Sequence, residues 1–374
     1  MTQRSYIMAL DSLEGLGPMA IQSLVATYPH ARSLLSASNQ SIAQLLGQRA
    51  NRWCGPGRFK QCLKEAEDLL DKQSQQGIQS HCFLDDNYPE RLKTLPDLPM
   101  MIHVIGSASL DVKHMLAVVG SRKPSPNGLL NTEYWVQSMR AVDPCIVSGL
   151  AFGVDVLAHE VAMQQGMITV AVLAHGLHVI HPRSHRDMAR RILASGGSLI
   201  SEHPIGVEPK VGAFPRRNRI IAGLCDATLV VEAAIKSGAG ITAEMANQYH
   251  RSVFAIPGRP QDVMTQGCLD LIQRHVAEMA VHPQRMLDSL GWSTPSSHAE
   301  KKPSNSQHQG VIDALSKGHQ RVDDIMNETG LDASKVLAAL GELLWSNHVM
   351  VRHGRYRLQA AEASGQGTEA ERKP

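Results

Sequence analysis

The sequence predicts an α/β protein: a buried parallel sheet with helices on both faces, preceded by a helical domain and followed by a winged-helix domain. Three observations carry this. Between Met115 and Pro257, short apolar runs alternate with amphipathic stretches. The runs lack polar alternation, as strands covered on both faces do. A chain of 374 residues also exceeds what one small core organises, so two or three domains are expected.

Residues 1–75 read as helical. Leu10, Leu13, Leu16, Ile21 and Leu24 keep near-helical spacing around the break Gly15-Leu16-Gly17-Pro18. Leu34, Leu35, Ile42, Leu45 and Leu46 continue the pattern. The Gly-Leu-Gly turn between short helices resembles a SAM or helix-hairpin-helix turn, whose amides can touch phosphate without reading bases. Eight bases against six acids give little local charge, so a structural helical cap is favoured over a DNA contact.

The central domain, residues 80–290, carries the expected strands. They are Leu116–Val119, Cys145–Val147, Ile168–Leu173, Ser198–Ile200, Thr228–Val231 and Val253–Ile256. Between them lie helix candidates at Leu129–Arg140, Val154–Gln165, Arg186–Ala194 and Ala243–Tyr249. Residues 291–309, rich in Ser, Pro, His and Lys, read as a flexible linker. In residues 310–359, helices at Val311–Ser316, Val322–Glu328 and Ala333–Leu344 precede two short strands, Val349–Val351 and Tyr356–Leu358. That order is a winged-helix pattern. Residues 360–374 are polar and read as a disordered tail.

Composition excludes several classes. With 43% hydrophobic and 19% charged residues the chain is an ordinary globular protein, and a net charge of +2 excludes a wholly electrostatic binder. Any nucleic-acid site must be local. Between His181 and Ile220 eight bases face three acids, and this is where a basic patch can form. The six cysteines show no C-x-x-C spacing and suit reduced core thiols. No leader and no apolar run near ~20 residues is seen, so a cytoplasmic protein without membrane contact is expected.

The chemistry gathers after the strands. Gly120-Ser121-Arg122 follows the first, Ser148-Gly149-Leu150-Ala151-Phe152-Gly153 the second, and Ala174-His175-Gly176 the third. The acids Glu202 and Glu232 follow later strands. In a parallel sheet these ends share one edge, where ligands bind. Arg122 can fork onto a phosphate. Ser237 and Gly238 form a turn whose amides, with Thr242 at the next helix start, can face an anion. Phe152 and Phe214 can stack bases, with a loop-anchoring role as the alternative for Phe214. Arg183, Lys210, Arg217, Asn218 and Arg219 complete the candidate set from the basic window. One of Arg217 and Arg219 is alternatively a structural partner of Glu232 or Glu202.

Other chemistry is unsupported. There is no G-x-G-x-x-G after the first strand and no G-x-x-x-x-G-K-[ST]. His175, His178, His181 and His185 have no neighbouring cysteine and read as a polar loop, so no metal and no cofactor is expected. No Ser-His-Asp set or paired carboxylates can be recognised, and no enzymatic machinery is expected. The presumed recognition helix Ala333–Leu344 has Lys335 as its one base, which favours protein contact or plain packing over sequence-specific DNA reading.

Taken in order, these segments resemble the DprA/Smf DNA-processing family. The resemblance rests on Val118-Val119-Gly120-Ser121-Arg122, Ser148-Gly149-Leu150-Ala151, Ala158-His159, Ser201-Glu202-His203-Pro204 and Phe214-Pro215 with Arg217-Asn218-Arg219-Ile220-Ile221. It continues through Val230-Val231-Glu232-Ala233, Ser237-Gly238, Ile241-Thr242-Ala243 and Pro257-Gly258, covering about residues 80–285. It implies an extended Rossmann-like domain that binds single-stranded DNA in a basic pocket and usually forms a homodimer. It further implies a recombination mediator that loads a RecA-type recombinase onto incoming strands during natural transformation, with single-strand-binding protein as a further partner. By position, Ser121, Arg122, Phe214, Arg217, Asn218 and Arg219 are the foremost pocket residues. Phe152 stands where an arginine is common, and His181 where a tyrosine commonly precedes Pro182. Replacing Arg122 or Arg217 by Ala is expected to weaken binding and preserve the fold.

Two rival readings remain. A phosphoribohydrolase-like enzyme would hold a nucleotide 5′-phosphate at Ser237–Thr242 and use Glu232 or Glu202 for glycosidic cleavage. A transcription factor would act through the C-terminal domain, against its balanced charge.

Overall fold

In the computed structural model, residues 2–292, 306–318, 320–345, 349–352 and 355–358 are described. The expected linker falls largely, and the expected tail wholly, outside those residues, as does the His353-Gly354 turn. The chain divides into two units, residues 1–294 and 295–374.

Five helices open the first unit: α1 (Gln3–Asp11), α2 (Pro18–Thr27), α3 (Ala31–Ser36), α4 (Asn39–Leu46) and α5 (Gly55–Gln75). Their starts follow local chemistry. Thr2 caps α1 in a reciprocal box with Ser5, Pro18 occupies the first turn of α2, and Ser38 caps α4. Tyr6, Leu10, Leu24, Phe59 and Leu63 share one apolar core with Met101, Ile102, Val104 and Ile200 of the sheet. The boundary near residue 75 therefore marks the end of α5 and not a gap in the core.

The sheet region runs β1 (Gln79–Cys82), α6 (Glu90–Lys93), β2 (Met101–Gly106), β3 (Met115–Val119), α7 (Pro126–Ser138) and β4 (Cys145–Ser148). It continues α8 (Val154–Gln164), β5 (Thr169–Leu173), α9 (Arg186–Ala194), β6 (Ser198–Ser201), α10 (Ala213–Leu224) and β7 (Ala227–Val230). It ends α11 (Gly238–Gln248), β8 (Ser252–Ala255), α12 (Val263–Gln273), β9 (Glu278–Met279) and α13 (Pro283–Ser289). The nine strands form one sheet in the order β1-β2-β6-β5-β4-β3-β7-β8-β9. From β6 to β9 all neighbours are parallel, with Leu116 opposite both Ile146 and Ala227. β1 and β2 add an antiparallel edge.

Alternate strand residues bury into opposite layers. Met115, Ala117 and Val119 face a core with Ile220 and Ile221 of α10 and Ala243 of α11. Leu116 and Val118 face Trp135 and Val136 of α7, Val161 of α8 and Met286 of α13. Ala171, Leu173 and Leu199 pack on Met188, Ala189 and Ile192 of α9. Helices cover both faces, as the uninterrupted apolar runs require.

The second unit contains α14 (Ser306–Ser316), α15 (Val322–Thr329), α16 (Ala333–Trp345) and the antiparallel pair β10 (Val349–Arg352) and β11 (Arg355–Leu358). Val311, Ile325, Val336, Leu340 and Val349 form its own core. Gly330, with φ of 67°, ends α15 in a left-handed cap. This is a winged-helix arrangement.

Candidate nucleic-acid interface

The chain leaves β3 towards β4 on one side and leaves β7 towards β8 on the other. Side by side in the sheet, β3 and β7 thus mark a topological switch point, with a crevice beyond their carboxyl ends. A cavity of about 780 Å³ lies there. It is lined by the turn after β3 (Gly120 to Lys123), the turn after β4 (Gly149, Ala151, Phe152) and His181-Pro182 beyond β5. The first turns of α10 (Phe214, Pro215, Arg217, Asn218) and the start of α11 (Ser237 to Thr242) complete it.

Local sequence explains how these turns are held. Gly153 has φ of 79°, and a Cβ there would lie 2.3 Å from the Ser121 carbonyl oxygen. The Val154 amide donates to that same carbonyl at 3.1 Å, which locks the turn after β3 to the start of α8. Ser237 caps α11, its Oγ accepting from the Gly240 amide at 3.2 Å. The Gly238 carbonyl accepts from Asn218 Nδ2 and Thr242 Oγ1, each at 3.2 Å. Asn218 therefore ties α10 to α11, and the buried Thr242 hydroxyl is turned back into its own helix.

Cations and aromatic rings share the cavity wall. The exposed Arg122 guanidinium lies 5.8 Å from the centroid of the Phe214 ring. Phe214 tilts against His181 at 5.7 Å. Phe152 is 49% exposed and meets His185 edge-on at 4.6 Å. Lys123, also exposed, lines the same space. It was not among the residues marked by the sequence, although its place beside Arg122 after a strand was the available signal.

Arg217 forms the cavity floor. It is 4% exposed, and its Nη1 donates to the carbonyl oxygens of Gly149, at 2.9 Å, and Val172. Its Nε donates to Asn218 Oδ1 at 3.2 Å. The buried Asp155 carboxylate accepts from the amides of Gly149 at 3.2 Å and Ala151 at 3.4 Å. Burial pushes the Asp155 carboxyl up and Arg217 opposes that shift. Burial likewise pulls the guanidinium down to about 10, which leaves it charged at neutral pH. Arg217 is thus built into the cavity floor, and its burial argues against the expectation that its removal preserves the fold.

Arg219 lies elsewhere. Phe214 to Ile221 lie within helix α10, where the sequence predicts no helix, and residues two apart on a helix face opposite sides. With Arg217 in the cavity floor, the buried Arg219 turns to a part-buried ion pair with Glu202 and to the Asp97 carbonyl. Its structural alternative is the one the geometry supports. Arg183 and Lys210 are exposed and outside the cavity lining. Ser121, Arg122, Phe152, Phe214, Arg217, Asn218, Ser237, Gly238 and Thr242 are brought together.

The acids proposed for glycosidic cleavage are occupied. Glu232 is 3% exposed and accepts from the amide of Ser125, at 2.9 Å, and from its hydroxyl, at the start of α7. Glu202 holds Arg219. Among the described lining residues the one carboxylate is Asp155, committed to the floor. No group of three His, Cys, Asp or Glu among the described residues is placed to hold a metal. His178 pairs with Glu208 at 3.4 Å and His185 reaches the Leu150 carbonyl at 2.9 Å. No described helix is long and apolar enough to cross a membrane.

A doubly wound, Rossmann-like domain with a cationic and aromatic cavity at its switch point, joined in one chain to a winged helix, defines a nucleic-acid-binding class of α/β protein. A family model described as DNA recombination-mediator protein A matches residues 79–291, and one described as the DprA winged helix domain matches residues 295–354. The chain belongs to this DprA/Smf family. It is 33% identical over 307 residues to Protein Smf of Synechocystis, covering 78% of this chain and 73% of that one. It is 38% identical over 232 residues to DNA processing protein DprA of Streptococcus pneumoniae, covering 62% and 80%. The solved structure of the Streptococcus pneumoniae protein matches with a TM-score of 0.65 at 33% identity, over 77% of this chain and 98% of that chain. DNA processing protein A of Helicobacter pylori, solved for its unique single-stranded DNA binding mode, matches with a TM-score of 0.51 at 26% identity, over 57% and 95%.

Proposed function

We propose that the cavity between β3 and β7 binds single-stranded DNA and that the chain acts as a recombination mediator, loading a RecA-type recombinase onto incoming strands in natural transformation. The observation that carries this reading is the convergence of Arg122, Lys123, Phe152, Phe214 and the α11 start on one cavity from four separate chain segments. Arg122, Lys123 and the α11 amides hold phosphates, and the two phenylalanines offer faces to unpaired bases. Neither contact depends on base identity, which suits a protein that must accept any strand. The single-stranded DNA binding of the Helicobacter pylori relative supports the same ligand.

The role requires no bond chemistry. The protein holds a few nucleotides and leaves the rest of the strand to the recombinase and to single-strand-binding protein. A homodimer would place two cavities on one strand and raise avidity through effective concentration. The test is fluorescence anisotropy with matched single- and double-stranded oligonucleotides at two salt concentrations. Single-strand preference that weakens with salt, and a roughly tenfold loss in Arg122→Ala, are expected. Equal affinity for both forms, or an unchanged Arg122→Ala isotherm, overturns the reading. Free base released from nucleoside monophosphates would favour the enzyme instead.

A further inference from the structure

We infer that the exposed edge of α9 carrying Arg186 and Arg190 is a second anchoring site for nucleic-acid phosphates, continuing a strand that leaves the cavity past Phe152 and Arg183. This rests on the reading of the cavity as a single-strand site.

The root of α9 is fastened to the cavity wall. His181-Pro182 lines the cavity, a tight turn at Arg183–His185 follows, and α9 begins at Arg186. His185 is buried, with Nδ1 2.9 Å from the Leu150 carbonyl and its ring against Phe152. The helix buries Met188, Ala189 and Ile192, so its other side faces outward. Arg186 and Arg190, four residues apart, share one edge of that side about 6 Å apart along the axis.

The fold makes little use of these cations. Among the described residues Arg183 and Arg186 have no ion-pair partner, and Arg186 sits at a helix start, where the backbone dipole favours an anion. Arg190 meets Asp187 at 2.9 Å, with side chains 78% and 86% exposed. Such a pair contributes little in water and exchanges readily for a phosphate. Arg191 turns to Glu160 at 3.1 Å and is not part of the edge. With Arg191 set aside, Arg183, Arg186 and Arg190 face one acid, Asp187, in a row that starts beside the cavity-lining Pro182.

The full chain should be titrated with labelled oligothymidylates of roughly 5 and roughly 15 nucleotides, which bracket the span of one groove. In Arg186→Gln/Arg190→Gln the longer strand should lose about 25-fold in affinity near 0.1 M salt. Its log–log salt slope should fall by about 1.4, two contacts at ~0.7 each. The shorter strand should bind as before. Asp187→Asn should tighten the longer strand, and Arg140→Gln, outside the cavity lining and paired with Asp143 after α7, should change neither. An unchanged slope, or equal losses for both lengths, overturns the second site while leaving the cavity reading in place. Failure of the unaltered chain to bind either strand overturns both.

Discussion

Arg217 on α10 donates to the carbonyl oxygen of Gly149 at 2.9 Å, joining a helix to the turn after β4 beneath the cavity. Beside them lies the buried carboxylate of Asp155, and a Cβ on Gly149 would come within 2.6 Å of the guanidinium and 2.8 Å of that carboxylate. The contact has a thermodynamic consequence. Arg217→Ala leaves two buried carbonyl oxygens without this donor and the buried Asp155 carboxyl without the charge that opposes its upward shift, at a cost of about 1–3 kcal/mol. Urea unfolding should register that loss, whereas Arg122→Ala should stay within ~0.5 kcal/mol of the parent. Equal stability of the two variants would refute the scaffold role of Arg217.

Lys123 and Arg219 reverse the roles their surroundings in the sequence suggest. Lys123 is exposed in the cavity wall, and Arg219 is held by Glu202 away from it. Lys123→Ala should lower the single-strand salt slope by about 0.7 and leave stability unchanged. Arg219→Ala should instead destabilise by about 1–3 kcal/mol, because it leaves the part-buried Glu202 carboxylate without its cation. A lower salt slope in a folded Arg219→Ala protein would contradict this division.

The central strands were legible because both their faces are buried: Leu116–Val119, Cys145–Val147 and Val253–Ile256 each fall within a residue or so of β3, β4 and β8. α9 was read to the residue, since its charged and apolar faces separate cleanly. Other elements left no such trace. β1 is Gln-Ser-His-Cys, and its Ser80 is buried by bonding His103 of β2 at 2.8 Å, a partner that no local pattern reveals. α10 hides its apolar face behind Phe-Pro-Arg-Arg-Asn-Arg, so Arg217 and Arg219, two positions apart, read as one cluster. Convergence at the sheet edge was readable from the order of motifs. Which cation faces the cavity depended on a helix phase that was not.

Gly153 tests the geometry of the cavity turn. Its φ of 79° and the 2.3 Å approach to the Ser121 carbonyl leave no room for a side chain. Gly153→Ala must push the Ser121-Arg122 turn away from α8, with a cost of at least ~1 kcal/mol for the backbone strain alone. Single-strand affinity should fall with it, because Arg122 and Lys123 ride on that turn. A variant that binds like the parent would show that the turn need not be held in place.

Two buried histidines make stability depend on pH. His103 bonds Ser80 and Gln73 through Nδ1, and His159 bonds Thr169 at 2.6 Å, while the Nε2 atom of each has no partner among the described residues. Burial, assisted by neighbouring positive groups, pulls both imidazoles down to about 3. The unfolded rings titrate near ~6.5. Between those values the unfolded chain binds protons that the folded chain refuses, so stability is intact above the window and drains as pH falls through it. From pH ~7 to pH ~5 each ring should cost on the order of 2 kcal/mol. Urea unfolding of the parent, His103→Gln and His159→Gln at both pH values measures this directly. Each variant should be less stable than the parent at the higher pH yet lose less on acidification; a loss equal to the parent's would assign the acid sensitivity to other groups.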